Sequence, residues 1–184
     1  MSMKSELKSV SKFLSLVLRH QPDAIGLNLD PNGWATIDEL IRCAGQHGRR
    51  LTLELIEQTV AENDKQRFTF NDDRTKIRAN QGHSVEIELG LEPQQPPEIL
   101  YHGTATRFVE SIRETGLNSG ERQHVHMSLD QQNMLAVGNR HGKPVLLSIR
   151  SGDMWRAGHL FYFSKNGVWL TDAVPVEFIE FPTG

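Results

Sequence analysis

The hydrophobic pattern of the chain changes character near its middle. In "SKFLSLVLRHQP", residues 11–22, Phe13, Leu14, Val17 and Leu18 recur at helical spacing. They predict an amphipathic helix that faces a core and stops before Pro22. Leu27 and Leu29 then alternate with polar residues up to the turn Asp30-Pro31-Asn32-Gly33. Thr36 and Glu39 form a capping box, which predicts a helix that Gly48 ends. Thr52 is placed to cap a further helix over "LELIEQTVAEN", with Leu55, Ile56, Thr59 and Val60 as its buried stripe. "KQRFTF" and "TKIRAN" flank "NDDR" as a β-hairpin. Helices followed by a hairpin predict a winged-helix-like lobe.

The second half reads mainly as strands. "EILYHGT", "QHVHMSL", "PVLLSIR", "LFYFS", "GVWLT" and "VEFIEF" are strand candidates. Between them lie two helices: "TRFVESIRETGL", stopped by Gly116, and "DQQNMLAVGNRHG", capped by Asp130. The segment "GLEPQQPPEIL", residues 90–100, has three prolines and no periodicity, and reads as a linker. The expected organisation is α+β, with one lobe over 1–90, a linker over 91–98 and a second lobe over 99–184.

Composition narrows the class. Of the 184 residues, 38% are hydrophobic, enough for a core, and no window reaches the roughly 18 apolar residues that span a bilayer. "MSMKSELKSV" lacks an apolar signal core, so a cytoplasmic protein is expected. The single Cys43 lies in an apolar-periodic helix and reads as a buried thiol, with no disulfide and no Cys-based zinc cluster. The net charge is −3, but residues 1–80 carry +1 and residues 81–184 carry −4. Near-neutral charge overall leaves room for arginines clustered on phosphate.

The candidate chemistry is basic. Arg19 and His20 end the first helix, where cations are also favoured by the helix dipole alone. Arg67 sits on the strand "QRFTF", opposite Phe68 and Phe70; an ordinary exposed strand charge is the plain alternative. Arg122 lies in "GERQHVHMS", where a generic loop arginine is the alternative. Together the three arginines offer planar forks that match phosphate oxygens. A second group is "YHGT", residues 101–104, and "HVHMS", residues 124–128. Gly103 would let a ligand approach the backbone, and Thr104 and Ser128 would bond a ribose or an amide. The plain alternative is a pair of core-edge histidines. None of the eight histidines has H-E-x-x-H spacing, so no metal is expected, and no G-x-G-x-x-G or Walker A sequence is present.

"FLSLVLRHQP", "GWATIDELI", "DKQRFTF", "LYHGT", "ERQHVHMS", "RHGKPVLL" and "NGVWLT", in this order from about residue 10 to residue 180, resemble the RNA 2′-phosphotransferases. The resemblance implies an N-terminal winged-helix RNA lobe and a C-terminal NAD lobe of the ADP-ribosyltransferase type. It implies removal of an internal 2′-phosphate from RNA, such as a spliced tRNA, with NAD as co-substrate and no metal. In the implied reaction the phosphate first displaces nicotinamide, giving a 2′-phospho-ADP-ribosylated RNA. The ribose 2″-hydroxyl then releases 2′-OH RNA and ADP-ribose 1″,2″-cyclic phosphate. The family's Arg-His-Arg-Arg set falls on Arg19, His20, Arg67 and Arg122. Its NAD contacts fall on His102, Gly103, Thr104, His126 and Ser128, with Arg140 as an addition for the pyrophosphate or adenosine.

The chemistry is consistent with that assignment. Many ADP-ribosyltransferases carry a late glutamate, whereas the corresponding "NGVWLT" holds Val168 and Trp169 and no acid. A phosphate monoester is already ionised near neutral pH, its second pKa being about 6, and a glutamate would repel it. Two other functions fit the residues less fully. One is a single-step ADP-ribosylation of another nucleic-acid phosphate, such as a 5′-end. The other is a non-enzymatic RNA binder that senses NAD. A monomer is expected.

Overall fold

In the computed structural model, residues 3–182 are described, and the chain divides into two compact units, Met1–Gly90 and Leu91–Gly184. Among the described residues no helix is long and apolar enough to cross a membrane.

The first unit opens with α1 (Met3–Arg19), which buries Leu7, Val10, Leu14, Val17 and Leu18. These positions fall on one helical face and drive the helix against the core. After the turn at Gly33 come the short β1 (Ala35–Thr36), α2 (Ile37–Gln46) and α3 (Leu53–Ala61). Both predicted caps are present. Thr36 Oγ1 accepts from Glu39 N at 3.3 Å, and Thr52 Oγ1 accepts from Leu55 N at 3.2 Å. The hairpin of β2 (Phe68–Phe70) and β3 (Lys76–Ala79) pairs Phe68 with Ala79 and Phe70 with Ile77. Strand β1 joins the other edge of β3, pairing Ala35 with Ile77, so the sheet order is β1-β3-β2. Leu14, Leu18, Leu40, Ile56 and Ile77 are fully buried between helices and sheet. Cys43 belongs to this core, and its Sγ lies 3.4 Å from the Gly26 carbonyl.

The second unit contains β4 (Leu100–Ala105), α4 (Val109–Thr115), β5 (Leu117–Asn118), β6 (Val125–Met127) and α5 (Gln131–Gly138). There follow β7 (Pro144–Ile149), α6 (Ser151–Arg156), β8 (Tyr162–Phe163), β9 (Trp169–Thr171), β10 (Ala173–Val174) and β11 (Ile179–Glu180). Two antiparallel three-stranded sheets form, ordered β11-β7-β4 and β6-β9-β8, with a separate β10-β5 ribbon. Tyr101 and Ser128 bridge β4 to the end of β6 through reciprocal backbone bonds of 2.9 and 3.0 Å. Leu100, Met127, Leu147, Ile149, Met154 and Phe161 form the core.

Several elements differ from the sequence expectation. The segment expected as a linker is tied down within the second unit: Gln94 N donates to Phe161 O, Ser151 Oγ to Pro97 O and Gly152 N to Glu98 O. The first half of the "VEFIEF" strand is a 3-10 turn over Val176–Phe178 that follows Pro175, and only Ile179–Glu180 pair with β7. The helix predicted from Thr106 begins as a 3-10 turn and is α-helical over Val109–Thr115.

Candidate active site

The first unit holds Arg19, His20 and Arg67 of the first group singled out in the sequence, while Arg122 lies in the second unit with the second group. In the first unit, α1 ends at Arg19, whose carbonyl accepts from Ser84 N at 2.9 Å and Val85 N at 3.3 Å. The Arg19 guanidinium carbon lies 5.9 Å from the centre of the buried Phe68 ring, and an Nη donates to the Arg67 carbonyl at 3.4 Å. Arg19 is thereby buried at 8% exposure, held by a hydrogen bond and a cation–π contact. His20 is exposed beside it, with Nδ1 3.0 Å from Ser84 Oγ.

Arg67 precedes β2 at a sharp corner, where Gln66 adopts φ +40°. Asn80 secures the corner: its N donates to Arg67 O at 2.9 Å and its Nδ2 to Gln66 O. The Arg67 side chain is aimed by Asn63, whose Oδ1 accepts from Arg67 Nη at 3.3 Å and from Arg67 N at 3.4 Å. Asn63 Nδ2 in turn donates to Ser11 Oγ on α1 at 3.0 Å. The structure therefore brings Arg19, His20 and Arg67 together. It adds Asn63, Asn80 and Ser84, which sequence reasoning missed. Ser84 lies in an aperiodic stretch, and Asn63 reads only as the polar end of a helix.

In the second unit, His102 and Thr104 lie on β4, His126 lies on β6, and Ser128 follows it. His102 Nδ1 is 2.9 Å from the His126 carbonyl. A carbonyl only accepts, so Nδ1 carries the proton and Nε2 presents a lone pair. Arg122 Nη lies 3.4 Å from His126 Nδ1. A guanidinium only donates, so His126 Nδ1 accepts and its Nε2 carries the proton. Desolvation, and then the like charge of Arg140, push the Arg122 pKa below its ordinary value. Arg140 itself lies on the 3-10 turn Asn139–His141 that follows α5. Two guanidiniums within electrostatic reach of each other are a setting that an anion relieves.

Gly103 meets a packing demand within its own unit. A Cβ there would stand 1.7 Å from the Met134 carbonyl of α5, so the close approach to its backbone is made by a helix of the same unit. A Cβ at Gly138 would likewise stand 2.3 Å from the Thr104 carbonyl. Ser128 is buried at 8% exposure, and its hydroxyl accepts from Asp130 N at 3.0 Å. Asp130 Oδ1 then caps α5 by accepting from Asn133 N at 3.0 Å. Among the described residues no cluster of His, Cys, Asp and Glu is arranged to hold a metal.

Histidine burial makes a stability prediction. Desolvation lowers the pKa of His102, against the raising effect of the His126 carbonyl bond and with the further lowering effect of Arg122. Desolvation also lowers that of His124, against the opposing charge of Asp172. In the unfolded chain both rings take protons near an ordinary pKa of about 6.5, while the folded rings resist them. Stability from this source is complete above about pH 6.5 and is lost as pH falls toward the depressed folded values. The melting temperature should drop between about pH 7.5 and about pH 5.5. His102→Asn, which keeps a donor for the His126 carbonyl but does not titrate, should flatten that drop. An unchanged slope in the variant would remove His102 as its source.

Comparison with known proteins identifies the family. The family model described as RNA 2′-phosphotransferase, Tpt1/KptA family, matches residues 5–173. A probable RNA 2′-phosphotransferase of Flavobacterium johnsoniae is 55% identical over 174 residues, covering 95% of this chain and 96% of the relative. Proteins of the same description from Acaryochloris marina and Rhodopirellula baltica are 53% and 52% identical. The first match covers 96% of this chain and 97% of the relative, and the second covers all of both. The chain belongs to the RNA 2′-phosphotransferase family.

Proposed function

We propose that this protein is an NAD-dependent transferase that removes an internal 2′-phosphate from RNA. What carries the reading is the joining of Arg19 to the Arg67 backbone, with His20 alongside, in a chain of this family. In this reading the first unit is a winged-helix-like RNA lobe, a view supported by its helices and β1-β3-β2 sheet. The second is an ADP-ribosyltransferase-like lobe, supported by its two three-stranded sheets.

Arg19 and Arg67 bind oxygens of the 2′-phosphate, and Arg122 offers positive charge to an anionic group in the second unit. Such charge matters most when the phosphoryl group is itself attacked and negative charge builds on its oxygens. His20, held by Ser84, donates to the phosphate or moves the proton of the attacking hydroxyl. The second-unit polar set suits a dinucleotide: His102 Nε2 accepts from a ribose hydroxyl, and Arg140 offers charge to a pyrophosphate. When bound, NAD supplies the electrophilic ribose carbon and nicotinamide as leaving group.

The test is incubation of the purified protein with NAD and a 2′-phosphorylated oligonucleotide, followed by mass analysis of the products. The expected products are 2′-OH RNA, free nicotinamide and ADP-ribose cyclic phosphate. An RNA that gains mass and keeps its phosphate would instead mark a one-step transfer, and the absence of nicotinamide release would mark a non-enzymatic binder.

Ser84 is a positioning residue in this scheme. Ser84→Ala should lower turnover about 3- to 10-fold, the range of one lost hydrogen bond, and should shift the His20 limb of the pH–rate profile. A profile superimposable on wild type would show that Ser84 only shapes the chain.

A further inference from the structure

A groove of about 790 Å³ runs beside α1 in the first unit, and apart from Arg67 its charges have no part in the chemistry above. One wall is α1 itself, with Lys4, Lys8 and Lys12 at intervals of four and Ser11 and Ser15 on the same face. At 100° per residue these positions, and Arg19 after them, fall within an arc of about 100°. Glu6, the acid of this helix, lies about 200° from Lys4 and faces away. The other wall follows α3 through Glu62, Asn63, Asp64 and Lys65 to Arg67. Five cations thus face two carboxylates, in a chain whose net charge is −3.

The three lysines are exposed, and among the described residues none of them is in an ion pair, whereas Arg74 pairs with Glu57 and Lys76 with Asp30. The groove lining holds no aromatic ring, so it offers nothing on which a base would stack. What it offers is a row of ammonium groups spanning about 12 Å of helix axis, spaced for successive phosphates. A basic amphipathic helix often reads as a membrane binder, but here the apolar face of α1 is buried in the core and cannot enter lipid. The row leads along α1 to Arg19, and the opposite wall ends at Arg67.

We infer that this groove carries the phosphate backbone of single-stranded RNA flanking the 2′-phosphate, and delivers the strand to the Arg19–Arg67 pair. The inference rests on the proposed function for the nature of the strand. It makes RNA recognition at this surface sequence-independent, because ammonium groups read charge and not base edges.

The experiment is equilibrium binding of a single-stranded RNA of about 20 nucleotides, bearing one 2′-phosphate, across a salt series. The full chain is compared with a K4Q/K8Q/K12Q variant and a K4R/K8R/K12R variant. Three phosphate contacts on a single strand are worth a slope of about 2 in log K against log salt. The glutamine variant should lose that much slope, so that between about 50 and about 200 mM salt wild type weakens roughly 20-fold more than the variant. The arginine variant should keep the wild-type slope, which separates charge from any effect on folding. Equal slopes in wild type and the glutamine variant would overturn the inference. So would an equal loss of binding to poly-glutamate, which would assign the groove to acidic polymers in general. Wild-type dephosphorylation of a 2′-phosphorylated dinucleotide, too short to fill the groove, tests the proposed function separately.

Discussion

Arg67→Ala is expected to lower kcat/KM on a 2′-phosphorylated oligonucleotide by roughly 10²- to 10³-fold while leaving the fold intact. The magnitude is that of deleting one preorganised donor aimed at developing negative charge. The fold should survive because Arg67 contributes its structure through the backbone. Its carbonyl accepts from Asn80 N and from Arg19, and an alanine carbonyl does the same. Arg67→Lys should recover little activity, since an ammonium cannot offer the paired, planar donors of a guanidinium. Steady-state kinetics with a circular-dichroism control measures both parts. Turnover of Arg67→Ala within about threefold of wild type would remove Arg67 from the phosphate site, against the loss expected for such a donor.

The largest effect on stability should come from Gly103→Ala. The added methyl would stand 1.7 Å from the Met134 carbonyl, and a backbone atom cannot swing aside as a side-chain tip can. Either β4 or α5 must move, at roughly 3 kcal/mol or more, the upper range for overpacking. Gly45→Ala is the matched control. Gly45 lies inside α2 with open space where a methyl would stand, so alanine there should stabilise by about 0.5–1 kcal/mol. Urea denaturation of the three proteins should order them Gly45→Ala, wild type, Gly103→Ala. A Gly103→Ala protein as stable as wild type would mean that strand and helix are not held in this close fit.

The features legible in the sequence are those whose causes are local. Thr36 and Thr52 announce their helices because a cap and its recipient lie three residues apart. Asp130 announces α5 for the same reason. The 68–70 and 76–79 strands could be read from alternation around a polar turn. The features that escaped depend on distant partners. Ser84 is 64 residues from His20, and Asn63 bonds to Ser11 across 52 residues, so neither leaves a local pattern. Strands β1, β5 and β10 are two residues long and exist only through their partners. Gly103 shows a further limit. The sequence marks a position that must be bare, but not whether a ligand or a neighbouring helix occupies the space.

The proton carried on His102 Nδ1 has a consequence for what the second cluster will accept. With that proton committed to the His126 carbonyl, Nε2 is electron-rich and turns away any ligand atom that is itself electron-rich. In the proposed reading, phosphate oxygens are steered toward Arg122 and Arg140, and hydroxyl or amide hydrogens toward His102. On that reading, a ligand with both kinds of group is oriented end for end by these few side chains before any bond is broken.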